Sequence, residues 1–313
     1  MIKENIIEIS GLTKQYGQLT AVDHLTLSVQ RGEIFGLLGP NGAGKTTTIL
    51  MLLGLSEPTA GKIKVCGIDP AFQPFLVKEK VGYLPDEVGF YENLSGLDNL
   101  LYTAALNRIE ASVAEERARH LLEQVGLTSK AHDKVQTYSR GMKQRLGLAD
   151  ILIKEPEVII LDEPTNGIDP EGVRELLALI KELNQEKGMT VLLSSHHLYQ
   201  VQQICDRVGL FVEGKLIAAG PIKELAFELF KNDPILLEVE VEPASAQLIA
   251  AIEANEHVTR VEQNRERLSI FCRQPVATEI ATTIVNHGAR LFHLSQHDYG
   301  LDEIYHRYFE GGM

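Results

Sequence analysis

At 313 residues, 44% of them apolar and 23% charged, the chain has the composition of ordinary globular protein and length enough for two domains. A formal net charge of −13 disfavours nucleic-acid binding through a broad basic face. No apolar run approaches the roughly 20 residues of a membrane helix, so a membrane role is expected to come through a partner. Cys66, Cys205 and Cys272 have neither metal nor redox spacing and read as reduced thiols of a cytosolic protein. Met1 to Asn5 opens no signal peptide.

Residues 6–9 and 25–29 read as strands, the second alternating cleanly. Tyr16 and Gly17 fall in the turn-rich stretch between them. A Tyr ahead of a phosphate loop could stack on an adenine ring, but from residue type alone it is more often a packed surface Tyr. Residues 34–38 form a short apolar run, predicting a buried strand. It leads into Gly39-Pro40-Asn41-Gly42-Ala43-Gly44-Lys45-Thr46-Thr47, which fits G-x-x-x-x-G-K-[ST]. Residues 48–53 continue with helix-like apolar content and stop at Gly54.

The chemistry needs these residue types in this order. Glycines let backbone wrap a phosphate without a Cβ in the way. Successive amide N–H groups and the helix start then direct positive potential at the anion. Lys45 would reach the β and γ phosphates as a point charge, and the Thr46 hydroxyl would ligate Mg²⁺.

Residues 61–67 predict a strand between glycines, and 81–87 a strand running into a turn. Residues 93–153 look largely helical, with Val113, Leu121, Leu122 and Val125 on one apolar face ended by Gly126. Within this block Ser139 is an N-cap for a helix running through Leu152. Its first turn, with Arg140 and Lys143, is basic, the wrong sign for the helix dipole, which hints at a docked anion. Residues 158–163 are an apolar run ending in Asp162 and Glu163, suited to the centre of a parallel sheet with carboxylates at its ligand-binding end. Asp162 would hold Mg²⁺, and Glu163 would orient or deprotonate an attacking water. Residues 166–170 form a turn that starts a helix over 171–186. Residues 190–196 are another apolar strand, placing His196 where it could donate to a γ-phosphate. Residues 208–214 and 215–220 read as a hairpin.

In this order the motifs resemble the nucleotide-binding domain of ATP-binding-cassette (ABC) transporters over residues 6–222. The resemblance implies an α/β P-loop NTPase cassette, with a mixed-sheet core and a helical subdomain. It implies that Tyr16 stacks on adenine and that Gly39, Asn41, Gly42, Gly44, Lys45, Thr46 and Thr47 hold phosphates. Glu163 is then the catalytic carboxylate, His196 the switch histidine, and residues 167–170 the D-loop. The usual signature Leu-Ser-Gly-Gly-Gln reads Tyr138-Ser139-Arg140-Gly141-Met142 here, keeping Ser139 and Gly141 for the γ-phosphate. The usual Q-loop Gln is replaced by Asp86, followed by Glu87, which leaves direct metal contact by Asp86 open.

A boundary is expected near 231–234, dividing an ATP-binding domain, 1–230, from a second domain, 231–313. Beyond it, a strand over 235–241, a helix over 244–254, a hairpin of 258–262 and 267–272, a helix over 276–287 and a strand over 289–294 give β-α-β-β-α-β. This is the α+β ferredoxin-like pattern, with a last helix over 301–309. The segment resembles the C-terminal extension of ABC-2-type exporter ATPases, which implies a dimer-stabilising or regulatory module. Its histidines, His257, His287, His293, His297 and His306, read as solvated rather than metal-binding.

The resemblance implies an ATPase with ATP and Mg²⁺ as cofactors, pairing head-to-tail with a second copy of itself. It would drive a separate membrane permease, in the export direction, from the inner face of the cell membrane, and bind no nucleic acid. The alternatives are a soluble ABC ATPase acting on ribosomes or DNA, and a nucleotide-dependent regulatory module without turnover. A single cassette, no heptad run and an acidic composition weigh against the first; Asp86 and the altered signature motivate the second.

Overall fold

The computed structural model describes residues 4–231, 233–297 and 299–309, with backbone only at 199, 302, 306, 308 and 309. Residues 1–3 of the expected leaderless start, Asn232 of the expected boundary and the His306 side chain lie outside the described set. The chain divides into two compact units after Leu225.

The first unit contains β1 (Asn5–Tyr16), β2 (Leu19–Gln30), β3 (Ile34–Leu38), α1 (Lys45–Leu52), β4 (Ala60–Val65), α2 (Pro74–Lys80) and β5 (Val81–Leu84). It continues with α3 (Gly96–Leu106), α4 (Ala111–Gln124), α5 (Arg140–Leu152), β6 (Val158–Asp162), α6 (Pro170–Lys187) and β7 (Thr190–Ser195). Then come α7 (Leu198–Gln202), β8 (Arg207–Val212) and β9 (Lys215–Gly220), while α8 (Ile222–Phe230) spans the division.

Six strands form one sheet in the order β5-β6-β7-β3-β8-β9, parallel except for β9. Every residue of β3, β6 and β7 is buried, which is why these strands read as unbroken apolar runs. Leu38 lies opposite Ser195, and Asp162 opposite Ser194. The chain therefore leaves β3, β6 and β7 at one common edge.

An antiparallel sheet, β2-β1-β4, supplies Ile7, Leu12 and Leu25 to a core shared with Phe35, Leu37, Ile49 and Phe211. The two long strands exceed their expected lengths. Register shifts after Ile9, next to Gly11 at φ 58°, break the alternation that marks a strand in sequence. Pairing resumes and reaches Tyr16 opposite Leu19, with Gly17 at φ 59° closing a two-residue turn. Tyr16 thus ends a strand instead of sitting in a loop.

The helical block is three helices, α3 to α5, joined through short 3-10 turns at Thr128–Lys130 and Val135–Thr137. Ser95 and Asp98 close a capping box at the start of α3. The buried face of α4 is Ala114, Ala118, Leu121 and Leu122, and Val113 is exposed, so the apolar stripe lies one position away from where Val113 suggested. α2, α7 and α8 were not expected. α2 buries only Val77 and so carries no periodic signal.

In the second unit β10 (Ile235–Glu242), β11 (Val258–Asn264), β12 (Arg267–Cys272) and β13 (Arg290–Gln296) form an antiparallel sheet ordered β11-β12-β10-β13. α9 (Ala246–Glu253) and α10 (Ala277–Asn286) bury Leu248, Ile252, Ile280 and Ile284 against Leu237, Val239, Leu268 and Ile270. α11 (Leu301–Phe309) follows. His293 Nε2 contacts Ser295 Oγ at 2.8 Å, and His297 Nε2 lies 3.4 Å from Glu303 Oε1. Among the described residues no helix is long and apolar enough to cross a membrane.

Candidate functional site

The glycine loop leaves β3 between its two parallel neighbours and enters α1 at once. Its path is held by backbone contacts: Gly39 N–H donates to the Ser195 carbonyl at 3.3 Å, and Gly214 N–H to that of Ala43 at 3.0 Å. Gly44 sits at φ 103°, and a Cβ there would lie 2.4 Å from the Ala21 carbonyl oxygen. Only glycine fits that position. Gly44 also precedes α1 without any side-chain cap, and the first turn of α1 has no acidic residue. The free amides at this helix start therefore face the loop, the arrangement that suits a phosphate.

Lys45, 5% exposed, donates from Nζ to the carbonyls of Gly39 at 2.7 Å and Pro40 at 3.2 Å. Gly39 acts here through its carbonyl and does not line the cleft. Thr46 Oγ1 donates to Asp162 Oδ1 at 3.4 Å, joining the hydroxyl and carboxylate expected to share a metal. Burial, then the charge of Asp162, pushes the Tyr83 hydroxyl up to about 12.

Glu163 follows β6 at φ 49°, in the left-handed region that non-glycine residues seldom occupy. Its N–H donates to Ser194 Oγ at 3.0 Å, and the same hydroxyl donates to Asp162 Oδ1. The turn directs the carboxylate between a lysine and a histidine. Oε1 is 3.2 Å from Lys45 Nζ, a charge contact without hydrogen-bond geometry. Oε2 is 2.9 Å from His196 Nδ1 and accepts the His196 N–H at 3.3 Å. The neighbouring His197 is held below its ordinary value by burial and by His196, with Glu163 acting the other way.

These groups open into one cleft of about 810 Å³. Tyr16, half exposed, stands on its wall with the Lys14 ammonium 4.8 Å from the ring centroid. Asn41, Gly42, Gly44, Lys45, Thr46, Thr47, Asp86, Asp162, Glu163 and His196 share this cleft, whereas Ser139 and Gly141 lie outside it. Ser139 caps α5, accepting the Met142 N–H at 3.2 Å. The basic start of α5 needs no docked anion to explain it: Arg140 pairs with Asp86 at 3.0 Å and Lys143 with Glu92 at 2.8 Å. Sequence reasoning missed Ser194, the bridge between the two acids, and Asn166, whose amide holds Asp86. The only sequence signal for Ser194 is its place two residues before His196 at a strand end.

The family model for ABC transporters matches residues 22–166. Over 313 residues, 100% of this chain and 99% of the other, the sequence is 35% identical to the bacitracin transport ATP-binding protein BcrA of Enterococcus faecalis. The chain belongs to the ABC transporter ATP-binding family. This cassette is also 34% identical to the linearmycin resistance ATP-binding protein LnrL of Bacillus subtilis (strain 168), over 96% of its own length and 97% of that relative's. The solved structure of cbiO1 from Clostridium perfringens, part of the ABC transporter complex cbiONQ, matches with a TM-score of 0.66 at 27% identity. The match covers 70% of this chain and 89% of that one. The cassette is thus an ATP-binding protein and an ATPase.

Proposed function

We propose that this cassette is the motor of a membrane exporter, two copies closing head-to-tail around two ATP molecules and parting after hydrolysis. The carrying observation is Glu163, set between Lys45 and His196 beside the glycine loop. Lys45 leaves the loop carbonyls and Glu163 to meet the β and γ phosphates. Glu163 then takes the proton of the attacking water, and His196 donates to the γ-phosphate. Tyr16 offers a π-face to the base.

Thr46 and Asp162 would hold Mg²⁺, while Asp86 is engaged by Arg140 and Asn166; the ion would supply charge neutralisation at the phosphates. Ser139 and Gly141, outside their own chain's cleft, would complete the other copy's. The second unit, whose elements run β-α-β-β-α-β, is read as a ferredoxin-like domain that would stabilise the pair or regulate it. The exposed side chains of Phe72, Phe75 and Leu106 support contact with a permease, which would hold the motor at the inner membrane face. The names of both relatives, bacitracin transport and linearmycin resistance, favour a cargo of that kind.

Glu163→Gln tests this reading. It should bind ATP, lose hydrolysis and accumulate as a dimer on gel filtration with ATP and Mg²⁺. A variant that stays monomeric at saturating ATP contradicts it.

A further inference from the structure

Two positions at which this chain departs from the usual family motifs meet in space. Arg140 Nη2 lies 3.0 Å from Asp86 Oδ1, although the two are 54 residues apart. Asn166 Nδ2 stands 3.1 Å from both oxygens of the same carboxylate. Gln144, one turn further along α5, donates from Nε2 to the Asp86 carbonyl at 2.9 Å.

The guanidinium also lies against Gly167: a Cβ there would be 2.9 Å from both Cζ and Nε of Arg140. Next to it, a Cβ on Gly141 would be 3.3 Å from Ile168. The start of α5 is thus fastened to two loops, the one after β5 that carries Asp86 and the one after β6 that carries Glu163. Both loops line the cleft.

The pair is partly exposed, with 44% and 39% of the two side chains accessible. Such an ion pair adds little to folding. What a planar guanidinium adds is direction, because its donors are fixed in a fork that meets a carboxylate at a set angle. We propose that Asp86 and Arg140 act as one positioning couple, holding the Ser139–Gly141 end of α5 in the orientation that meets the triphosphate of a second copy. This rests on the paired-cassette reading above. Neither residue is catalytic in it; Arg140 acts through Asp86 and Asn166.

The test uses the full chain with Glu163→Gln as parent, so that closure is read as ATP-dependent self-association. Arg140→Gln should leave ATP affinity, measured by calorimetry, within about twofold. Arg140→Gln and Asp86→Asn should each raise the ATP concentration for half-maximal self-association about tenfold, and the double variant should raise it no further. Exchanging the two charges, Asp86→Arg with Arg140→Asp, should recover part of the loss. Additive effects overturn the couple. So does an increased Mg²⁺ requirement in Asp86→Asn alone, which would make that carboxylate a metal ligand. Should Asp86→Asn fail to fold, Arg140→Lys carries the test: it keeps the charge without the fork, and parent-like self-association overturns the proposal. Failure of the parent itself to self-associate overturns the paired-cassette reading, and this inference with it.

Discussion

Lys45 Nζ and Glu163 Oε1 stand 3.2 Å apart, with side chains only 5% and 12% exposed. A buried carboxylate is costly without a counter-charge, so each group depends on the other. Lys45→Ala removes the cation beside Glu163, the one that on the proposed reading would meet the phosphates. A charge-assisted contact is worth about 1.5–3 kcal/mol, so ATP affinity should fall at least about tenfold. Unchanged affinity by calorimetry would remove Lys45 from its role.

Ser194 is fully buried and serves both acids, donating to Asp162 and accepting from Glu163 N–H. Ser194→Ala leaves an Asp162 oxygen without that donor and loosens the turn that aims Glu163. Losing such a buried hydrogen bond should cost about 1–3 kcal/mol in denaturant unfolding and lower kcat more than it changes KM. A variant as stable and as active as the wild type would show the bridge to be dispensable.

Asp150, on α5, is pushed up to about 6 by burial, against the opposing effects of the Thr103 hydrogen bond and the Lys154 charge. The ordinary value is 3.8, so the folded state holds this proton more tightly than the unfolded chain. Its contribution to stability therefore falls as pH rises from about 4 to 6 and stays low above that window. Asp150→Asn should gain up to about 3 kcal/mol at pH 7 and little near pH 4. Urea unfolding at both values checks this; an equal gain at both would show that ionisation is not the cause.

What could be read from the sequence was what the chain carries in consecutive residues. The run of β6, the glycine loop and the Lys45–Thr46 pair are continuous, and their burial and placement follow from neighbours in sequence. Tyr16 looked like a loop residue because the bulges of β1 hide its alternation. Val113 misled because helical spacing fits two adjacent faces until packing chooses one. The partners of Asp86 were illegible for another reason: Arg140 and Asn166 are 54 and 80 residues away. No local pattern encodes contacts between the loop after β5, the start of α5 and the loop after β6.

Gly44 abuts the Ala21 carbonyl, and a Cβ on Gly214 would stand 3.0 Å from the same oxygen. One atom on the hairpin bearing Tyr16 thereby seats the phosphate cradle as well. On the proposed reading, the spacing of Tyr16 from the glycine loop would be a built-in yardstick, set by the fold before any nucleotide arrives. Di- and triphosphates would be gauged alike at the base, and told apart only at the distal end of the tail, where the acid and the imidazole wait.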